Sequence, residues 1–148
     1  MKTIAVLTFG ILSVIAVLHV YWGCGGLWPG ATTKELIDTV IGVPEMQRMP
    51  DAWMTLTIAA LIFVAGLFAL ARARIAPFGP RWVVTAATAA LMLVFFARAA
   101  AGFWIAATGS RASEPFATND LVLYSPLCLL IGALFAALLL MKSEEGTS

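Results

Sequence analysis

The sequence predicts an all-α integral membrane protein: a four-transmembrane-helix bundle with a short interfacial helix in the loop after the first span. Two observations carry this reading. The 148 residues are 61% hydrophobic and only 11% charged, where a soluble domain of this length carries about a quarter charged residues. The apolar residues also gather into four runs of about 20, enough to cross a hydrocarbon layer of ~30 Å at ~1.5 Å per residue. So small a core cannot hide so many apolar side chains, so lipid is the solvent for much of the surface. Open strands cannot satisfy their backbone groups in lipid, so each run is read as a helix within one membrane domain, residues 1–148.

The first span covers 4–22, just after Lys2. No small-x-small cleavage site follows it, so it is expected to stay as a helix and not to be removed as a signal peptide. In the loop 23–52, Thr32-Thr33-Lys34-Glu35 matches a capping box, with Thr32 at the N-cap and Glu35 reaching back. Leu36, Ile37, Val40 and Ile41 then make an apolar stripe ending at Gly42, which predicts a short helix lying on the membrane interface. Its acids Glu35 and Asp38 argue against strong attraction to anionic lipid.

The second span, 53–71, is closed by Arg72 and Arg74, and Pro77 and Pro80 mark the turn beyond it. The third, 82–107, is broken by Arg98 and rich in alanine; small residues let backbones approach, so this helix is expected at the centre of the bundle. The fourth is assigned to 121–141. A start at Ser125 would leave only ~22 Å of helix, so the start is placed near Asn119 or Asp120, with a kink at Pro126 that frees the carbonyl of Val122.

Basic residues set the expected orientation. Lys2, Arg72, Arg74, Arg81 and Lys142 fall on the side of the termini, against Lys34, Arg48 and Arg111 on the other. Both termini are therefore expected in the cytoplasm, with the chain in a bacterial inner membrane. A net charge of +1 gives no footprint for nucleic acid. One histidine cannot build a zinc site, and a haem would need Met46, Met49, Met54 or Met92 beside it, so neither metal nor cofactor is expected. Cys24 and Cys128 differ in depth by ~10–15 Å, beyond disulfide reach. No G-x-S-x-G, P-loop or H-E-x-x-H pattern occurs, so no catalytic residue is assigned.

Depth arithmetic singles out one polar cluster. His19 lies ~25 Å from the inner face, and Arg98 lies ~24 Å from the same face. Asn119 and Asp120 stand at the outer start of the fourth span, so three helices bring His19, Arg98 and Asp120 to one level. Ionisable groups there cost several kcal/mol unless paired. The expected pair is Arg98 with Asp120, with His19 bonded to one of them or to Tyr124, which falls on the helical face of Asp120. Tyr21, Trp22 and Asn119 complete the candidate ligand-binding set. The plainer alternatives are an Arg98 that snorkels to headgroups, Asn119 and Asp120 as helix caps, and a structural His19.

The segment His19-Val20-Tyr21-Trp22 with Gly25-Gly26, Arg98 followed by Gly102, and Asp120 with Tyr124-Ser125-Pro126-Leu127-Cys128 resemble the small bacterial membrane proteins grouped as "domain of unknown function 3995". The likeness follows nearly the whole chain in order, apart from the longer 23–52 loop. It implies a four-helix membrane protein and carries no activity with it. The residues themselves favour an outer-leaflet pocket for a lipid-like or other small amphiphilic ligand, with membrane lipids as partners. The alternatives are an accessory subunit docked on a larger membrane complex, a homo-oligomer, or a transporter that would need oligomerisation.

Overall fold

The structure, a computed structural model, describes residues 1–108, 112 and 114–141. It contains α1 (Lys2–Gly23), α2 (Thr33–Val40), α3 (Ala52–Arg72), α4 (Arg81–Thr108), α5 (Phe116–Asn119), a π-helical turn (Asp120–Tyr124) and α6 (Ser125–Leu140). There is no strand among the described residues. α1, α3, α4 and the continuous helical stretch Phe116–Leu140 are each long and apolar enough to cross a membrane. Arg111 and Lys142, which entered the charge count, lie outside the described residues.

The helices pack as two antiparallel pairs, α1 with α3 and α4 with α6. In the first pair Gly23, at the end of α1, meets Ala52 and Leu56 at the start of α3, while Gly66 of α3 lies against Phe9 and Leu12. In the second, Gly102 late in α4 meets Ser125, and Gly132 of α6 meets Phe96. The pairs join through a core of Ala5, Leu12, Ala65, Ala69, Ala73, Ile131, Phe135 and Leu138, with the Phe95 and Phe135 rings stacked at 5.9 Å. Arg72 donates to the carbonyls of Leu139 and Met141, so α3 and α6 end together near the chain termini. We call this the terminal end; the opposite end carries α2.

Three expectations change. The alanine-rich third span is not central: α4 is the least buried of the four spans and packs on α6 and α3, with at most a marginal contact to α1. Most of its alanines face outward, and Ala99 alone among them is buried. The fourth span begins at Phe116, five residues before the expected 121, and it adapts to Pro126 upstream of the proline. The Ser125 N–H bonds the carbonyl of Asp120, five residues back, so the helix widens into a π turn one residue before the ring that cannot donate.

The third change concerns α2. Thr32 accepts from the Glu35 N–H as the sequence encodes, and Glu35 reaches back to the Ala31 N–H, one residue before the N-cap amide that a capping box engages. Half of the apolar stripe of α2 is turned inward: Leu36 and Ile37 are fully buried within the protein, while Val40 and Ile41 stay partly exposed. Two contacts latch the helix to the head of the fourth span. Tyr124 donates to the carbonyl of Thr39 at 3.0 Å, and Gly42, at φ +76°, lies so close under the Phe116 ring that a Cβ there would stand 2.3 Å from it.

Candidate functional site

At the α2 end, the π turn decides which side chains face α4. In a regular α-helix, residues five apart point about 140° away from each other. Widening the turn to a five-residue bond brings them back over one another. Asp120 and Ser125, one at each end of that bond, are both buried. Tyr124, expected on the face of Asp120, is turned away toward Thr39 and the Phe116 ring.

Opposite them on α4 stands Gly102, one turn beyond Arg98 and on its face. A Cβ on Gly102 would lie 1.8 Å from the Ser125 hydroxyl, 2.5 Å from Asp120 Oδ2 and 2.8 Å from Arg98 Nη1. Three polar groups thus converge on the space a side chain would fill. Arg98 Nη2 donates to Asp120 Oδ1 at 2.7 Å. The partners differ in setting: Arg98 is 40% exposed along its side chain, while Asp120 is 2% exposed. The guanidinium spreads its charge toward the surface as the carboxylate sits inside.

Asp120 is only half satisfied. Its Oδ2 and the Ser125 hydroxyl are buried without a hydrogen-bond partner, and each such group costs roughly 1–3 kcal/mol. Asp120 also lines a cavity of about 240 Å³, with Gly102, Ile105 and Ala106 of α4, Ala117 of α5, and Glu114. That volume falls below the ~300 Å³ at which drug-sized pockets begin. It suits a headgroup. Among the described residues the polar side chains on its wall are the two carboxylates, and this part of the wall suits hydrogen-bond donors or positive charge.

The other candidates stand elsewhere. His19 Nδ1 pairs with the carbonyl of Ile15, one turn back on its own helix, at 2.8 Å, and its ring meets Trp22 edge-on at 5.1 Å. It bonds neither Arg98 nor Asp120: equal depth along the bundle places no two helices side by side, and α1 packs on α3 and α6, with at most a marginal contact to α4. Tyr21 and Trp22 belong to the end of α1. Gly25, at φ +90°, donates to Trp22, and Gly26 donates to Tyr21, the paired bonds of a Schellman cap. The Tyr21 ring covers Gly26 so closely that a Cβ there would stand 2.3 Å from it. Trp22 Nε1 donates to the carbonyl of Trp28, and the Trp28 N–H donates to the Tyr21 hydroxyl. The motif that stands out in the sequence is thus a helix stop clasped by two aromatic rings. Asn119 sits half-buried at the last residue of α5.

Sequence reasoning missed Ser125 as a member of the cluster and Gly102 as its floor. Gly102 was legible, since a glycine one turn from a lone membrane arginine marks a close approach on the same face. Ser125 was not, because α-helical spacing points it away from Asp120. Among the described residues no group of three or more His, Cys, Asp or Glu side chains could hold a metal ion, and Cys24 and Cys128 are both free thiols.

Neither a curated protein nor a solved structure matches the chain. One protein family does, over residues 12–135, a stretch that takes in every residue of the cluster. The chain belongs to that family, DUF3995, described as a protein of unknown function.

Proposed function

We propose that this small multi-pass membrane protein binds the headgroup of a lipid-like or other small amphiphilic ligand at the α2 end of the bundle. One observation carries the reading. Asp120 is buried, held by Arg98 through one oxygen, and lines a headgroup-sized cavity with the other oxygen unpartnered. A carboxylate at membrane depth is costly, and a group kept there usually serves a pathway or a ligand. With Glu114 as the second carboxylate on the wall, the favoured ligand carries a primary ammonium or hydroxyl groups and leaves its chains in lipid. The basic residues of the terminal end support cytoplasmic termini in a bacterial inner membrane, which puts the cavity in the outer leaflet.

An accessory-subunit reading would rest on the exposed apolar face of α4, where Leu93, Val94 and Trp104 lie open. In lipid such a face is the ordinary state of a helix, so it argues for no partner. The test is native mass spectrometry after extraction from phosphatidylethanolamine or phosphatidylcholine nanodiscs. The wild-type protein is expected to retain the primary-amine lipid in preference. Asp120→Asn, which keeps size and hydrogen bonding, is expected to lose that preference while circular dichroism still reports the helices. No preference in the wild type would leave the cluster as a clamp between α4 and α6.

A further inference from the structure

The head of the fourth span, residues 116–124, stands between α4 and α2. On one face Ala117 and Asp120 line the cavity of about 240 Å³, with Gly102, Ile105 and Ala106 of α4 opposite them. On another face the Phe116 ring lies under Gly42, and Tyr124 donates to the carbonyl of Thr39. To widen the cavity the head has to swing away from α4, and α2 stands in its way. Building on the amphiphile reading of the Asp120 cavity, we infer that α2 is a backstop that sets its width, so that a primary ammonium headgroup enters and a trimethylammonium headgroup does not.

A backstop works only where the head would otherwise move and α2 would not. The head has a place to pivot: its π turn closes on the Ser125 N–H, one residue before Pro126, and widened or proline-bearing turns are where helices bend. Beyond that point α6 is fixed, since Ile131, Phe135 and Leu138 belong to the core that joins the helix pairs. α2 is rooted in the other pair. Leu36 and Ile37 are fully buried, the Thr32 hydroxyl caps its start, and a Cβ on Gly30 would stand 2.7 Å from the Leu36 nitrogen. The chain leading into it is held by the aromatic clasp, in which Trp22 donates to the Trp28 carbonyl and the Trp28 N–H to the Tyr21 hydroxyl. The motif that stands out in the sequence thus acts on the cavity from behind, through α2 and the head. Width is decisive for the two headgroups. A primary ammonium offers three N–H donors to Asp120 and Glu114, whereas trimethylammonium spreads the same charge over a wider shell and offers none.

The test uses the full chain in neutral detergent, with Cys24 and Cys128 replaced by alanine and Ile105→Cys placed on the cavity wall. Two thiol reagents of equal charge probe it, 2-aminoethyl and 2-(trimethylammonio)ethyl methanethiosulfonate, each rate being divided by that with free cysteine. With α2 in place the primary ammonium reagent is expected to react about tenfold faster than the other. Tyr124→Phe alone should lower that ratio about threefold, and adding Phe116→Ala should bring it within about twofold of one. A disulfide between Gly42→Cys and Phe116→Cys in the Tyr124→Phe chain should restore the ratio. The Gly42 Cβ would lie 2.4 Å from Phe116 Cγ, one bond from the Phe116 Cβ, so the two cysteines fall within disulfide reach. In native mass spectrometry the Tyr124→Phe, Phe116→Ala chain should gain phosphatidylcholine beside phosphatidylethanolamine, where Asp120→Asn loses the primary-amine lipid. A ratio near one with α2 in place would overturn the backstop, as would an unchanged ratio in the folded Tyr124→Phe chain. A size-dependent ratio without any lipid preference in the wild type would strike the amphiphile reading alone and leave the backstop standing.

Discussion

The two helix pairs are built from similar apolar helices yet are held by different physics. α1 and α3 meet through small residues: Ala5, Ala65 and Ala69 are buried, and Gly66 lets Phe9 and Leu12 come close. The one imidazole on this pair, that of His19, pairs with a carbonyl one turn back on its own helix. α4 and α6 also meet over a glycine, but at Gly102 the groups filling the gap are a hydroxyl, a carboxylate and a guanidinium. Arg98 cannot serve itself as His19 does. A guanidinium carries a full positive charge and five donors, which one spare lone pair on a carbonyl of its own helix cannot satisfy. It therefore reaches across to Asp120. A polar group in lipid is local when its backbone can satisfy it, and becomes an interhelical tie when it cannot.

The sharpest way to break this contrast is to fill each glycine. Gly102→Ala would drive a methyl group into three polar atoms anchored on two helices and should cost about 3 kcal/mol. Gly66→Ala meets the Phe9 ring at 3.0 Å, which a small ring shift relieves, and should cost about 1 kcal/mol or less. Reversible unfolding in mixed micelles reads both, and equal losses would mean that the pairs are held alike.

Removing the tie itself comes next. Asp120→Leu strands Arg98, which is exposed enough to snorkel away, so the expected loss is about 2 kcal/mol and not the 3–5 of a fully buried pair. Adding Arg98→Leu should recover part of it, giving a coupling of about 1 kcal/mol in a double-mutant cycle. A double variant as unstable as the sum of the two single variants would remove the ion pair from the account.

Smaller effects sharpen the picture at the margins. Tyr124→Phe deletes the bond to Thr39 and should weaken the docking of α2 by about 1 kcal/mol. The amides of Thr33–Val40 would then exchange with solvent roughly fivefold faster while those of the spans stay protected. His19→Gln should change stability by less than about 0.5 kcal/mol, because it breaks a bond within one helix and no tie between helices. A loss comparable to that of Asp120→Leu would show that α1 shares in the polar cluster after all.

Much of this was readable before folding. The spans were placed to within a residue or two at α1, α3 and α4, since apolar length is a one-dimensional property. The Thr32–Glu35 cap follows from local spacing, and the pairing of Arg98 with Asp120 follows from depth and opposite charge. What failed were statements about neighbours and azimuth. His19 was assigned to the cluster by depth, and Tyr124 by a periodicity that the π turn interrupts.

The sequence by itself therefore determined that four helices cross, roughly where each begins, and that a lone arginine at depth needs an acid. Only the tertiary structure decided that α4 packs on α6 and at most marginally on α1, and that the turn before Pro126 widens so that Ser125 joins Asp120 opposite Gly102. The physical reason is one of dimension. Hydrophobic length and charge depth are measured along a helix, whereas a binding site depends on rotation about the helix and on which helix stands beside it. The side chains settle those two together when they pack.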